Sequence, residues 1–173
     1  MASIVVYYSR AGYNYTSSGI KALKVGNTEV VANKIAGLTD SDLFKIVEVE
    51  AYPTDYKQTT ERAKKELNEN KMVEYIGNVD LDQYDTIYLG YPNWWGTYPM
   101  VVKKFIEDHQ WFNHKTVVPF VTHEGSGLGH SVADLKQQCP YSNVVNGLAI
   151  RGSSAAMSDN AIRNFLNDLK GKM

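Results

Sequence analysis

The stretch Thr86-Ile87-Tyr88-Leu89-Gly90-Tyr91-Pro92-Asn93-Trp94-Trp95-Gly96 decides how this chain reads. Residues 86–90 form a short apolar run with β-branched and aromatic members, which is strand composition. Gly90, Pro92 and Gly96 mark residues 91–97 as a tight turn, and residues 98–109 then read as a helix. Neighbouring side chains at a turn point in different directions, so Trp94 and Trp95 do not both face the core unless both rings cap it. Otherwise at least one indole meets solvent or a ligand. A large rigid aromatic surface on a loop at a strand end suits a flat aromatic cofactor.

The same alternation runs outward in both directions. Residues 3–8, 43–49, 86–90, 115–122 and 144–150 read as strands; residues 28–38, 54–70, 98–109, 130–138 and 158–169 read as helices. Val31, Ile35 and Leu38 share one face of the first helix, and Tyr56, Ala63 and Leu67 point inward from the second. Ala161, Phe165 and Leu169 form the stripe of the last, with Ser158 as its N-cap. Pro119 is awkward for a central strand because it cannot donate to a ladder. Strands alternating with helices imply right-handed βαβ crossovers, hence an α/β, three-layer, doubly wound fold. Five strands fit the parallel order 2-1-3-4-5. Residues 11–25 fit no element. They are too long for an ordinary first βα connection and predict either a disordered excursion or a lid folding over a ligand, with Tyr13 as its contact.

At 173 residues the chain is sized for one domain spanning 1–173, and its 43% hydrophobic and 21% charged residues are ordinary for a globular protein. A formal charge of −1 argues against a nucleic-acid footprint. The N-terminal residues match no secretory signal and no apolar run reaches bilayer length, which points to the cytoplasm and away from membranes. One cysteine, Cys139, excludes an internal disulfide and a thiolate metal cluster, and reads as a packing residue. None of the four histidines has metal-ligand spacing. His109 and His114 read as surface or dipole residues at a helix end, and His123, followed by Glu124, reads as a positioning residue.

Ligands of open parallel sheets bind beyond the carboxyl ends of the strands. The loops opening there are residues 9–28, 91–97 and 122–130. The first begins Ser9-Arg10 and ends Gly26-Asn27-Thr28-Glu29 at a helix start, where hydroxyls, free amides and the helix dipole make a phosphate cradle. It lacks the Gly-Lys-Ser/Thr of a P-loop. The third, Thr122-His123-Glu124-Gly125-Ser126-Gly127-Leu128-Gly129, lets a backbone approach a planar ring edge.

Together, Tyr8-Ser9-Arg10…Gly26-Asn27-Thr28, Gly90-Tyr91-Pro92-Asn93-Trp94-Trp95-Gly96 and Gly125-Ser126-Gly127-Leu128-Gly129 resemble the flavodoxin family, over nearly the whole chain. The resemblance implies non-covalent FMN and electron transfer through it. By that resemblance Ser9, Arg10, Asn27 and Thr28 hold the phosphate, residues 92–96 (Pro92, Asn93, Trp94, Trp95, Gly96) flank the ring, and residues 122–129 border its pyrimidine edge. Trp95 stands where the family often carries a glycine, and a bulky residue resists positive φ there. The chain departs from the family pattern in three ways. The phosphate loop is split by 11–25, the third loop offers only His123 as a ring, and the acidity of many electron carriers is missing. Two readings remain: an electron-transfer module serving a redox partner protein, or an NAD(P)H-dependent FMN reductase acting on a quinone, nitro or azo compound. A third reading is a flavin-free fold reused for binding.

Overall fold

The computed structural model describes residues 2–109 and 114–171. Five parallel strands at its centre are the predicted ones: β1 (Ser3–Tyr8), β4 (Asp42–Ile46), β5 (Thr86–Pro92), β6 (Thr116–His123) and a fifth in two pieces, β7 (Asn143–Val144) and β8 (Leu148–Arg151). Their order is β4-β1-β5-β6, with β7 and β8 both pairing β6, and every pairing is parallel. Numbered by the expected strands, this is 2-1-3-4-5. Two further strands, β2 (Gly12–Thr16) and β3 (Gly19–Leu23), pair only with each other.

The continuous apolar runs of β1, β5 and β6 reflect burial on both faces. Ile4, Val6 and Tyr8 enter one core layer with Ile87, Leu89 and Tyr91, whereas Val5 and Tyr7 enter the other with Tyr88 and Phe120. The first layer is covered by α2 (Tyr56–Asn68), α3 (Met100–Asp108) and α4 (Ser131–Gln138), and the second by α1 (Asn27–Thr39) and α5 (Asp159–Lys170).

Pro119 does sit in the central strand β6, and its parity explains why it is tolerated. The carbonyls of Lys115 and Val117 accept from Asn143 and Val145, while Thr116 donates to Asp85 and Thr122 accepts from Asn93. Odd-numbered peptide groups of β6 therefore face the fifth strand. The missing N–H of Pro119 points at residues 145–147, where that strand is interrupted.

Three expectations need correcting. The buried residues of α5 are Ile162, Leu166 and Leu169, with Phe165 partly buried beside them, so of the expected stripe only Ala161 faces outward. Ser158 does precede α5, but its hydroxyl donates to the Ala155 carbonyl and caps no helix amide. His109 is buried rather than superficial. Its ring stacks on Phe105 at 3.9 Å between centroids, and its Nδ1 and Nε2 meet the Phe105 carbonyl and Asn78 Oδ1. Cys139 is buried as expected, and burial pushes its thiol up to about 11. No helix among the described residues is long and apolar enough to cross a membrane.

Residues 11–25 are not a disordered excursion but an antiparallel hairpin, its strands joined at Ser17-Ser18. Gly19 enters the second strand at φ +97°. Thr16 Oγ1 donates to the Gly19 carbonyl at 2.6 Å and accepts from the Ser18 amide at 3.2 Å, which closes the turn. Three anchors fix the hairpin to the body. Arg10 donates to the Tyr13 carbonyl and to Asn14 Oδ1 on the hairpin, and to the Pro53 and Thr54 carbonyls on the loop before α2. Asn14 returns its amide to the Arg10 carbonyl. At the tip, the Ser17 amide reaches Ser153 Oγ at 3.3 Å, in the 3-10 turn Gly152–Met157.

Candidate functional site

The carboxyl ends of β1, β5 and β6 open into a cavity of about 350 Å³ roofed by the hairpin. Eleven of the residues singled out in the sequence line it: Ser9, Arg10, Asn27, Thr28, Pro92, Asn93, Trp94, Thr122, His123, Glu124 and Ser126.

At one end stands the N-terminus of α1. Gly26 precedes it without a side-chain cap, and Ser9 Oγ accepts the Glu29 amide at 3.1 Å. This leaves the amides of Asn27 and Thr28 to an anion, with the hydroxyl hydrogen of Ser9 beside them. Gly26 is demanded by close approach, because a Cβ there would lie 2.2 Å from Ser9 Oγ and 2.7 Å from the Arg10 carbonyl. The side chains of Thr28 and Arg10, both on the cavity wall, also have partners within the protein. The Thr28 hydroxyl is buried against Thr122 Oγ1 at 2.7 Å and ties α1 to β6. Both terminal nitrogens of Arg10 are spent on the hairpin and the 53–54 carbonyls, which makes it a brace on the cavity wall.

At the other end stands Trp94. Tyr8 and Tyr52 meet it edge-to-face at 5.7 and 5.0 Å between ring centroids, so the indole is held by the core while one side lines the cavity. Behind it, Tyr52 donates to the buried Glu66 carboxylate, which also pairs with Arg62.

Trp95 and Gly96 form the corner of a two-residue turn closed by Trp94 N–H to the Thr97 carbonyl at 2.9 Å and the reciprocal bond at 3.4 Å. Both corner residues have positive φ, +58° at Trp95 and +91° at Gly96, the signature of a type I′ turn. The expectation that Trp95 would resist positive φ is therefore wrong. Surrounding contacts impose the conformation: Asn93 Oδ1 accepts the Gly96 amide, the His130 amide donates to the Gly96 carbonyl, and the Trp95 indole N–H donates to the Thr60 carbonyl.

The loop after β6 is ordered by its own polar side chains. Asn93 Nδ2 donates to the Gly127 carbonyl, and the Ser153 amide and hydroxyl donate to Glu124. The Gly125 amide donates to His123 Nδ1 at 2.9 Å, which requires that nitrogen to be unprotonated. Burial, assisted by the nearby Arg151 cation, lowers the His123 pKa from its ordinary 6.5, against an opposing pull from Glu124. Neutral imidazole is thus the folded-state form. The stability it brings is complete above the unfolded value and is lost as pH falls through the lower folded one. Imidazole NMR titration is expected to place the His123 midpoint below 6.5. A midpoint at or above that value would contradict this hydrogen bond.

Six residues singled out in the sequence fall outside the cavity. Gly96, Gly125, Gly127 and Gly129 shape its loops without lining it. Tyr13 points to solvent on the outer face of the hairpin, and Trp95 lines an adjoining cavity instead. Asn14, Tyr15 and Tyr56 complete the wall, although the sequence assigns none of them to the site and marks Tyr56 only as an inward position of α2. The period-2 alternation of β2 was the available signal, since it turns Asn14 inward. Tyr15 and Tyr56 meet at 6.4 Å between rings and narrow the mouth. No group of acidic, cysteine or histidine residues among those described could hold a metal ion.

A family model described as flavodoxin matches residues 20–169. Among solved structures, a Bacteroides eggerthii protein described as a flavoprotein is 27% identical, with 96% of each chain covered and a TM-score of 0.76. One from Bacteroides uniformis is 25% identical over 94% of this chain and 97% of its own, at a TM-score of 0.73. A Lactobacillus acidophilus flavoprotein solved in complex with FMN shares the fold at 22% identity, 92% and 98% coverage and a TM-score of 0.67. No curated protein matches the chain significantly. With the strand order, the loop-edge cavity and a family match over most of its length, this chain belongs to the flavodoxin family.

Proposed function

We propose that this protein binds FMN non-covalently in the hairpin-roofed cavity and passes electrons through it. One observation carries the reading. A helix N-terminus with uncapped amides, a core-anchored indole and a glycine-rich loop edge converge on one cavity at the carboxyl ends of the central strands. These three parts suit a phosphate, an aromatic ring and the polar edge of that ring. Ser9 and the amides of Asn27 and Thr28 would hold the phosphate, Trp94 would lie against the flavin, and residues 122–126 would border its pyrimidine side. FMN, when bound, supplies the redox chemistry, and the chain supplies orientation and exclusion of water. Among the described residues, the anion site at α1 with no second pyrophosphate cradle favours FMN over FAD.

Apoprotein is expected to take up one FMN per chain, with inorganic phosphate competing, and heat is expected to release FMN by mass. Failure to take up FMN, or preferential uptake of FAD, would sink the reading. A formal charge of −1 gives little steering toward a charged redox protein. It therefore supports a small-molecule acceptor over a carrier's protein partner, and with it the NAD(P)H-dependent reductase. Bleaching of the flavin by NADPH alone would favour that second reading.

A further inference from the structure

A second cavity of about 400 Å³ adjoins the first, walled by α2 on one side and the tryptophan turn on the other. Its size falls within the roughly 300–1,000 Å³ usual for small-molecule sites. The two cavities share Trp94 and Tyr56 in their walls, so an occupant of one lies next to an occupant of the other.

The chemistry of the wall limits what can enter. Ala63, the Thr59 and Thr60 side chains, Tyr56, Trp94 and Trp95 give an aromatic and aliphatic lining. The polar groups are largely used up within the protein. Thr59 donates to the Pro53 carbonyl, Thr60 to the Lys57 carbonyl and Trp95 to the Thr60 carbonyl. Asn93 bridges Gly96 and Gly127, and Asn14 is closed on Arg10. The Tyr56 hydroxyl and the Trp94 indole N–H are among the donors left in this wall. Arg10 also reaches this wall, but its terminal nitrogens are already bonded to the Tyr13, Pro53 and Thr54 carbonyls and Asn14 Oδ1. An anion would have to displace those bonds, whereas a flat neutral ring with an oxygen acceptor would satisfy both the walls and the donors. Burial raises the Tyr56 hydroxyl above its usual pKa, which keeps it a donor.

Trp95 adds an independent argument. A non-glycine residue at φ +58° costs roughly 1–2 kcal/mol, and the ring is still 50% exposed, so burial does not offset that cost. Contacts from Asn93, Thr60 and His130 hold the turn in that conformation, and strain over-determined in this way is found at ligand sites. The turn holds the indole on the rim of the second cavity, with Lys64 Nζ 5.0 Å from the centroid of its ring.

We infer that the second cavity is an acceptor site for a neutral, planar aromatic quinone, stacked on Trp95 and hydrogen-bonded through a ring carbonyl by Tyr56. The electron-transfer part rests on the FMN reading; the binding part does not. The quinone would take two electrons and two protons from reduced FMN in the first cavity and leave as the hydroquinone, which closes the exchange without another reactant.

The test is calorimetric titration of oxidised, FMN-loaded protein with 1,4-naphthoquinone. Trp95→Gly, which relieves the strained φ while removing the ring, is expected to weaken binding roughly ten- to a hundredfold. Tyr56→Phe is expected to weaken it roughly three- to tenfold. FMN affinity in Trp95→Gly is expected to stay at the wild-type value. No naphthoquinone binding, an affinity unchanged by Trp95→Gly, or one-for-one displacement of FMN would overturn the inference. If the protein takes up no FMN, the same titration on apoprotein still decides the binding claim, so the two readings fail separately.

Discussion

Trp94→Ala is expected to lower the stability of the apoprotein by about 3 kcal/mol, the low end for deleting a large aromatic from a core. It is also expected to weaken FMN binding by roughly ten- to a hundredfold. Both effects come from one ring. Tyr8 and Tyr52 hold it edge-to-face from the core side, and each such pair contributes about 0.5–1.5 kcal/mol beyond area burial. Its other side lines the cavity. Urea denaturation of the apoprotein reads the first effect and an FMN titration the second. Trp94→Phe should recover part of both. Lost stability with unchanged FMN affinity would make Trp94 a core residue only, and the flavin would have to sit elsewhere.

Gly129→Ala is expected to cost about 3 kcal/mol, combining overpacking with a left-handed alanine. Gly129 has φ +57°, and a Cβ there would lie 2.2 Å from the Gly96 carbonyl oxygen. That oxygen accepts the His130 amide at 2.7 Å and closes the tryptophan turn against α4. The added methyl must push the turn, and Trp94 with it, away from the cavity. Gly127→Ala provides the comparison. Its φ is +62° but a Cβ meets nothing within 4 Å, so only the conformational cost remains, about 1 kcal/mol. Equal losses in the two variants by urea denaturation would show that backbone strain alone governs this loop and that the contact with Gly96 is soft.

The hairpin brings a ring to the cavity mouth, where the loop after β6 offers only His123. Tyr15 and Tyr56 narrow the cavity mouth from the side of β2 and α2. Arg10, which a motif-level reading assigns to the phosphate, is the brace that holds this arrangement to the sheet edge. Because Arg10 touches both the hairpin and the loop before α2, its removal would loosen both cavities together.

The sheet, and the edge at which it works, are legible in the residues themselves. Runs buried on both faces, such as Ile4 to Tyr8 and Val117 to Val121, can only be interior parallel strands. The helices between them then decide connectivity, and connectivity places loops 9–28, 91–97 and 122–130 on one edge. Details that depend on contacts between distant segments are set by the folded chain. The hairpin is hard to see in the sequence because Ser17-Ser18 lacks the Asn-Gly or Asp-Gly signal of a two-residue turn, and its strands bury little of their own surface. The left-handed φ of Trp95 runs against its intrinsic preference and exists because Asn93, within the turn, and Thr60 and His130, from two other parts of the chain, hold it. Pro119 is out of place in a central strand only until the interruption of the fifth strand removes the partner it could not serve. Local propensity and periodicity are properties of neighbouring residues. A strained φ or a shared cavity wall depends on what the fold brings against them from elsewhere.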